Sequence, residues 1–123
     1  MLNQVTLVGR LVREPEMIET KNGNKLTRIT LAIPRSYKNS DGEYDTDFVS
    51  CRLWKGIAEN TASYCKKGDI LGVKGIIQTS SYEKGNEKKY VTEIVAEKVS
   101  FLTNEKNHRK EKETKETEKE LEM

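Results

Sequence analysis

Five runs of alternating apolar and polar residues, and one run of three-and-four spacing between the third and fourth, punctuate this 123-residue chain. With glycine- and asparagine-bearing turns between the runs, they predict an all-β domain. The order, three strands, one helix and two strands, points to a five-stranded Greek-key barrel of the OB type with one helix between strands 3 and 4. The domain is assigned to residues 1–103 and a charged C-terminal tail to residues 104–123.

The first strand covers residues 3–11. Val5, Leu7 and Leu11 alternate with Gln4, Thr6 and Arg10, and Gly9 marks a bend or bulge. After Pro15 the chain turns through Met17–Thr20 into Lys21-Asn22-Gly23-Asn24, where Asn-Gly predicts a type I′ hairpin with both central residues at positive φ. The second strand runs from Lys25 to Ile33 with Ile29, Leu31 and Ile33 inward, and Pro34, which has no N–H, stops the regular ladder. A polar loop, Lys38–Glu43, turns at Asp41-Gly42 into the third strand, from about Thr46 to Trp54. Beyond Gly56, the residues Ile57, Ala58, Thr61, Ala62, Tyr64 and Cys65 form the stripe of an amphipathic helix. Lys66 and Lys67 complement its dipole, and Gly68 is placed as its left-handed cap. The fourth strand, Asp69 to about Tyr82, puts Leu71, Val73 and Ile77 on one side and Lys74, Gln78 and Tyr82 on the other. Lys84-Gly85-Asn86 turns it into the last strand, Tyr90–Leu102.

Composition restricts the function classes. Lysine and arginine number 22 against 20 acids, so any basic surface must come from placement rather than bulk charge. Cys51 and Cys65 lack metal-ligand spacing and sit in apolar patterns, as buried thiols of a reducing cytoplasm do. The longest apolar stretch, Ile70–Ile77, is broken by Lys74 and two glycines and is far short of a membrane span. With no leader pattern at the start, the expected location is cytoplasmic and nucleoid-associated. The tail holds six cations and seven acids with only Leu121 and Met123 apolar, too little to order itself, and is expected to be disordered.

The third strand carries the functional signal. In Phe48-Val49-Ser50-Cys51-Arg52-Leu53-Trp54, the residues Val49, Cys51 and Leu53 form one face and Phe48, Ser50, Arg52 and Trp54 the other. Two aromatics flanking a cation suit a stacked, negatively charged polymer. The competing reading is a two-sided core strand with Arg52 snorkelling to water. Tyr37 and Tyr82 extend the set to four aromatics at strand ends or outward positions, interleaved with Arg35, Arg52, Lys55 and Lys84. Bases stack on aromatic planes whatever their sequence, while lysine and arginine follow the phosphates. Tyr64 and Phe101 are read as core or oligomer-contact aromatics. Catalysis finds no support: His108, the single histidine, lies in the tail, and no phosphate loop or placed carboxylate pair occurs. The expectation is a binder without enzymatic activity, cofactor or metal. An OB-type adaptor using the aromatics as protein contacts, and an RNA binder of the cold-shock sort, remain as alternatives.

Several blocks resemble the homotetrameric OB-fold family of bacterial and phage-type single-stranded DNA-binding proteins, over about residues 1–102. They are Met1–Leu11 with Pro15-Glu16, Asn22-Gly23, Thr30-Leu31-Ala32, Asp47-Phe48 through Trp54-Lys55 with Ala58-Glu59-Asn60, Lys66-Lys67-Gly68, Gln78-Thr79, and Tyr90-Val91-Thr92-Glu93. The resemblance implies base stacking on Tyr37, Phe48, Trp54 and Tyr82, and basic tracks including Arg10, Arg35, Arg52, Lys55 and Lys67. It also implies single-stranded DNA as partner, a homotetramer around which DNA wraps, and work in replication, recombination and repair. One departure stands out. Family members usually end in an acidic tip closing on phenylalanine, which recruits replication and repair proteins; this chain ends Glu118-Lys119-Glu120-Leu121-Glu122-Met123. The departure bears on partner recruitment and not on DNA binding.

Overall fold

A computed structural model describes residues 1–103. The tail, with His108 and the Glu118–Met123 ending, lies outside the described residues. Six strands and one helix follow in the order β1 (Val5–Leu11), β2 (Glu16–Glu19), β3 (Lys25–Lys38), β4 (Tyr44–Trp54), α1 (Lys55–Tyr64), β5 (Ile70–Lys84) and β6 (Glu87–Phe101). The sheet order β1-β5-β6-β4-β3-β2, with an added β1–β3 pairing, closes five strands into a barrel and leaves β2 as a short flap on β3.

Closure depends on one edge of β3 serving two partners in turn. Its first half pairs with β2 (Leu26 opposite Ile18) and its middle with the end of β1 (Arg10 opposite Ala32, Leu11 opposite Leu31). β1 meanwhile pairs with β5 from Val5–Gly75 to Arg10–Ile70. At the crossing a Cβ on Gly9 would lie 2.8 Å from Ile33 Cγ1 and 3.0 Å from Leu31 Cβ, so the bend anticipated there is a close approach of two strands. Inside, Leu11, Ile29, Leu31, Cys51, Leu53, Leu71, Val73 and Ile94 form the buried core. Helix α1 plugs one end with Ala58 and Thr61, and the buried Thr27 hydroxyl stands 3.5 Å from the Ala58 carbonyl oxygen.

Several local expectations are corrected. β2 forms where the sequence predicts only a turn, and all four of its residues are exposed, so no alternation marks it. The Asn22-Gly23 turn is not type I′, because Gly23 has positive φ and Asn22 does not. The Gly23 amide bonds the Thr20 carbonyl at 2.9 Å and the Thr20 amide bonds the Asn24 carbonyl at 2.8 Å, a three-residue loop with glycine in the left-handed position. The Asn39–Glu43 turn repeats that pattern with Gly42. Gly68 has positive φ, but it sits in the turn after the helix; the C-cap is the extended Cys65, and Lys66 and Lys67 fall beyond the last turn. Of the two readings for Tyr64, core or oligomer contact, the core one falls: its ring is half-exposed and leans on Phe101, centroids 6.2 Å apart. Ile77, expected inward, is 45% exposed because β5 and β6 continue past the barrel wall as a two-stranded arm. On β6, one extra residue, Glu97, bulges between the pairs Lys74–Lys98 and Gly75–Ala96.

Beside that bulge a Cβ on Gly75 would meet the Val95 carbonyl oxygen at 2.1 Å. Gly75→Ala is therefore expected to destabilise the domain by about 1–3 kcal/mol or more, read as a lowered urea midpoint. Burial pushes the Cys51 thiol up to about 12, helped by the nearby Glu93 charge, and burial with Asp69 does the same for Cys65. A thiol whose folded pKa is raised holds its proton longer in the native state, so this contribution is complete below about pH 8.5 and is lost as pH rises toward 12. Both cysteines should resist iodoacetamide at pH 8.5 until urea unfolds the chain.

Candidate nucleic-acid interface

The two faces of β4 separate as the alternation requires. Cys51 and Leu53 are fully buried and Val49 is half-buried, while Phe48, Ser50, Arg52 and Trp54 occupy the outer side. Phe48 is 67% exposed, which removes the two-sided core reading. Cross-strand register spreads this face over the neighbouring strands, since directly opposed residues share a side. Arg10, Ala32 and Phe48 form one row across β1, β3 and β4; Arg28 stands opposite Arg52; Ile18, Leu26 and Trp54 form another. Leu26 is buried between its flanking neighbours. Trp54 itself is half-buried and ends β4 directly against α1, with no intervening loop. Lys55, the next residue, takes the left-handed φ of +54°, a conformation that costs a non-glycine residue free energy and fixes the sharp strand-to-helix corner.

The β5–β6 arm brings the fourth aromatic alongside. Tyr82, 52% exposed, lies opposite Lys89 on the same side as Gln78, Glu93 and Val95, and Val95 pairs with Arg52. Between the arm and β4 lies an open cleft of about 410 Å³ lined by Arg28, Ser50, Arg52, Ser80, Tyr82, Val91 and Glu93. Tyr37, 64% exposed, stands apart on the β3–β4 arm, within the break in pairing between Pro34 and Lys38. Phe48, Arg52, Trp54 and Tyr82 are thus brought to one outer face, and Tyr37 is placed further along the same hairpin.

The basic candidates divide by what restrains them. Arg35 makes a two-pronged contact with Asp47, 2.9 Å from Nη2 to Oδ1 and 3.1 Å from Nε to Oδ2, with Asp45 at 3.6 Å. That hydrogen bonding raises the Arg35 pKa and lowers that of Asp47. Arg52 is tied to Glu93 through Nη2. Arg10 donates from Nη1 to the Gly68 carbonyl, and the Lys67 backbone amide bonds Glu14, which sets both cations at the end nearer Phe48. Lys55 and Lys84 are exposed, beside Trp54 and two residues past Tyr82 respectively.

Four residues escaped the sequence reading. Glu93, 8% exposed, is the buried anion beneath this face, and Arg28 reaches it from Nε at 3.7 Å. Tyr44 and Tyr90 are 56% and 76% exposed, each with a lysine ammonium over its ring: Lys38 at 5.9 Å and Lys88 at 5.7 Å. No group of three or more histidine, cysteine or acidic residues able to hold a metal occurs among the described residues. Nor, among them, is any helix long and apolar enough to cross a membrane.

Comparison with known proteins adds independent findings. The model of the single-strand binding protein family matches residues 2–102. The chain is 50% identical over 105 residues to single-stranded DNA-binding protein B of Bacillus subtilis, covering 83% of this chain and 91% of that one. It is 48% identical over 103 residues to the single-stranded DNA-binding protein of Halalkalibacterium halodurans, where it spans 61% of the relative's length. The fold superimposes on the crystal structure of a deletion mutant of the single-stranded DNA binding protein from Thermus aquaticus. That match has a TM-score of 0.70 and 29% identity, over 83% of this chain and 51% of the other.

Removing Glu93 would leave the partly buried Arg52 guanidinium, 22% exposed, without its counter-charge. Glu93→Ala is expected to cost about 3 kcal/mol in urea unfolding, toward the low end for a broken buried pair because Arg52 retains some solvent. Replacing both with apolar residues of similar volume should recover most of that loss.

Proposed function

The chain belongs to the single-strand binding protein family, and we propose that it binds and protects single-stranded DNA with little regard to sequence during replication, recombination and repair. The observation that carries this reading is the outer face of β4, where exposed Phe48 and half-buried Trp54 bracket Arg52 while Tyr82 stands across the cleft. An unpaired strand offers flat bases and a phosphate at every step. Aromatic planes take the bases at about 1–3 kcal/mol each, and cations beside them take the phosphates. Phe48 and Tyr82, with Tyr37 on the adjoining arm, are the further stacking positions. Arg10, Lys55, Lys67 and Lys84, which are exposed, serve the phosphates most directly. Arg35 and Arg52, held by Asp47 and Glu93, give up part of their acid contact to do so. Nothing in this scheme requires a bond to be broken, so the protein acts as a binder in the cytoplasm.

The assembled form in this reading is a homotetramer. Support comes from β1, whose Val5–Gly9 segment pairs with β5 on one side while its pairing with β3 begins only at Arg10. Val8 on that strand is 54% exposed. An open edge with an exposed apolar residue favours pairing with another copy.

Trp54 is the single tryptophan, so its emission reports on the site. Addition of oligo-dT is expected to quench it, with log affinity falling against log salt at a slope near −0.7 for each phosphate neutralised. Trp54→Ala should weaken binding by about 1–3 kcal/mol with the domain still folded by circular dichroism. Unchanged emission at saturating DNA would overturn the stacking assignment. Sedimentation should report four copies of the 14.1 kDa chain, and Val8→Asp should shift it to smaller species.

A further inference from the structure

The cleft beside Tyr82 holds a polar arrangement that a stack-and-phosphate scheme does not need. At its base the Glu93 side chain, 9% exposed, takes Arg52 Nη2 on Oε1 and faces Arg28 Nε with Oε2 at 3.7 Å. Arg28 remains 58% exposed, and no acceptor among the described residues engages its Nη1 or Nη2. A guanidinium is a planar fork of five donors. When a fixed carboxylate approaches it from the Nε side, the terminal Nη pair is left free and steered. Arg52, lining the same cleft, keeps its Nε buried without a hydrogen-bond partner.

Two parallel donors at the mouth of a base-sized cleft fit a base edge with two adjacent acceptors. Guanine offers that pair in O6 and N7. In an unpaired strand adenine places the N6 donor beside N7 and N1, and thymine sets its N3 donor between O4 and O2, so each leaves one Nη group unmatched; cytosine offers O2 beside N3 but a smaller ring to stack on Tyr82 than guanine does. Tyr82, on the wall of the same cleft, supplies a ring for the base face.

We propose that Arg28, facing buried Glu93 across 3.7 Å and set beside Tyr82, makes this cleft a guanine-preferring stop on an otherwise sequence-tolerant path. The inference rests on the single-stranded DNA reading and deepens it by assigning a base preference to one position. A purely electrostatic role for Arg28 would be served about as well by lysine; an end-on bidentate contact would not.

The test measures competition against labelled oligo-dT, using dT oligomers that carry one central dG, dA, dC, deoxyinosine or 7-deaza-dG. One dG should bind about fivefold or more tighter than all-dT, the lower range for a bidentate base contact. Deoxyinosine, which keeps O6 and N7, should retain the gain. Both dA and 7-deaza-dG, which lack the acceptor pair, should lose it. In Arg28→Lys the ratio of dG to dT affinity should fall to about one, and the ratio rather than the absolute affinity is the readout. A dG oligomer no tighter than the dA or the dC oligomer, an undiminished gain with 7-deaza-dG, or a preference that survives Arg28→Lys would each overturn the proposal. Binding of oligo-dT with no dG gain overturns this inference alone; failure to bind oligo-dT at all overturns the parent reading together with it.

Discussion

Barrel closure at the end of β1 is the constraint on which the rest of the structure depends. A five-stranded sheet left open would expose two edges and half of its apolar face. Here Leu11 is buried at the seam, its amide bonded to the Asp69 carbonyl at 2.8 Å and its carbonyl to the Gly68 amide at 2.9 Å. Val12 bonds onward to the Thr30 carbonyl at 3.2 Å. Those bonds join the first strand to β3 on one side and to the turn before β5 on the other. The inner faces of all five strands can then meet in one core, and the outer faces are released from any packing duty. An aromatic such as Phe48 can stay in water because Leu31, Cys51 and Leu53, behind it, already supply the burial that folding requires.

Electrostatics on the outer face are arranged by restraint more than by accumulation. Arg52 is held by Glu93, with Arg28 3.7 Å from the same carboxylate, and on the adjoining arm Arg35 is held by Asp47 and Asp45. Exposed pairs such as those of Arg35 contribute little to stability, unlike the buried Arg52–Glu93 pair. Their effect is on orientation: long cationic side chains that would sample many rotamers are kept near the aromatic rings. A cation already ordered loses less entropy when a phosphate or a base arrives. The modest excess of basic over acidic residues follows from the same arrangement, since the acids that do the ordering offset the cations they hold.

Much of this was legible in the chain, because a period of two and a period of 3.6 are hard to confuse over runs as long as these. The separation of Val49, Cys51 and Leu53 from Phe48, Ser50, Arg52 and Trp54 needed only the alternation of β4. What depends on pairing was not legible. Whether Asn22-Gly23 closes a two-residue or a three-residue loop is set by how β2 aligns with β3, and the fully exposed Glu16–Glu19 carries no pattern to announce that strand. Glu93 reads locally as a surface acid, and its partner Arg52 is 41 residues away. Arg28 gains its place in the site only through the register that sets it opposite Arg52. The tail ran past the described residues and leaves that part of the reading where the sequence put it.

The bulge at Glu97 has a consequence for the whole of β6 below it. Alternation is a two-phase code, and a single supernumerary residue switches the phase of everything that follows. With Glu97 looped out, Val99, Ala96 and Ile94 all fall on the barrel's inside while Glu93 turns outward to the arginines. Were Glu97 taken into the regular pleat instead, the strand would be read in the other phase: Val95 and Glu93 would go in, Ala96 and Ile94 would come out. One apparently idle surface glutamate thereby decides whether a carboxylate meets two guanidiniums or is driven into hydrocarbon, without touching either.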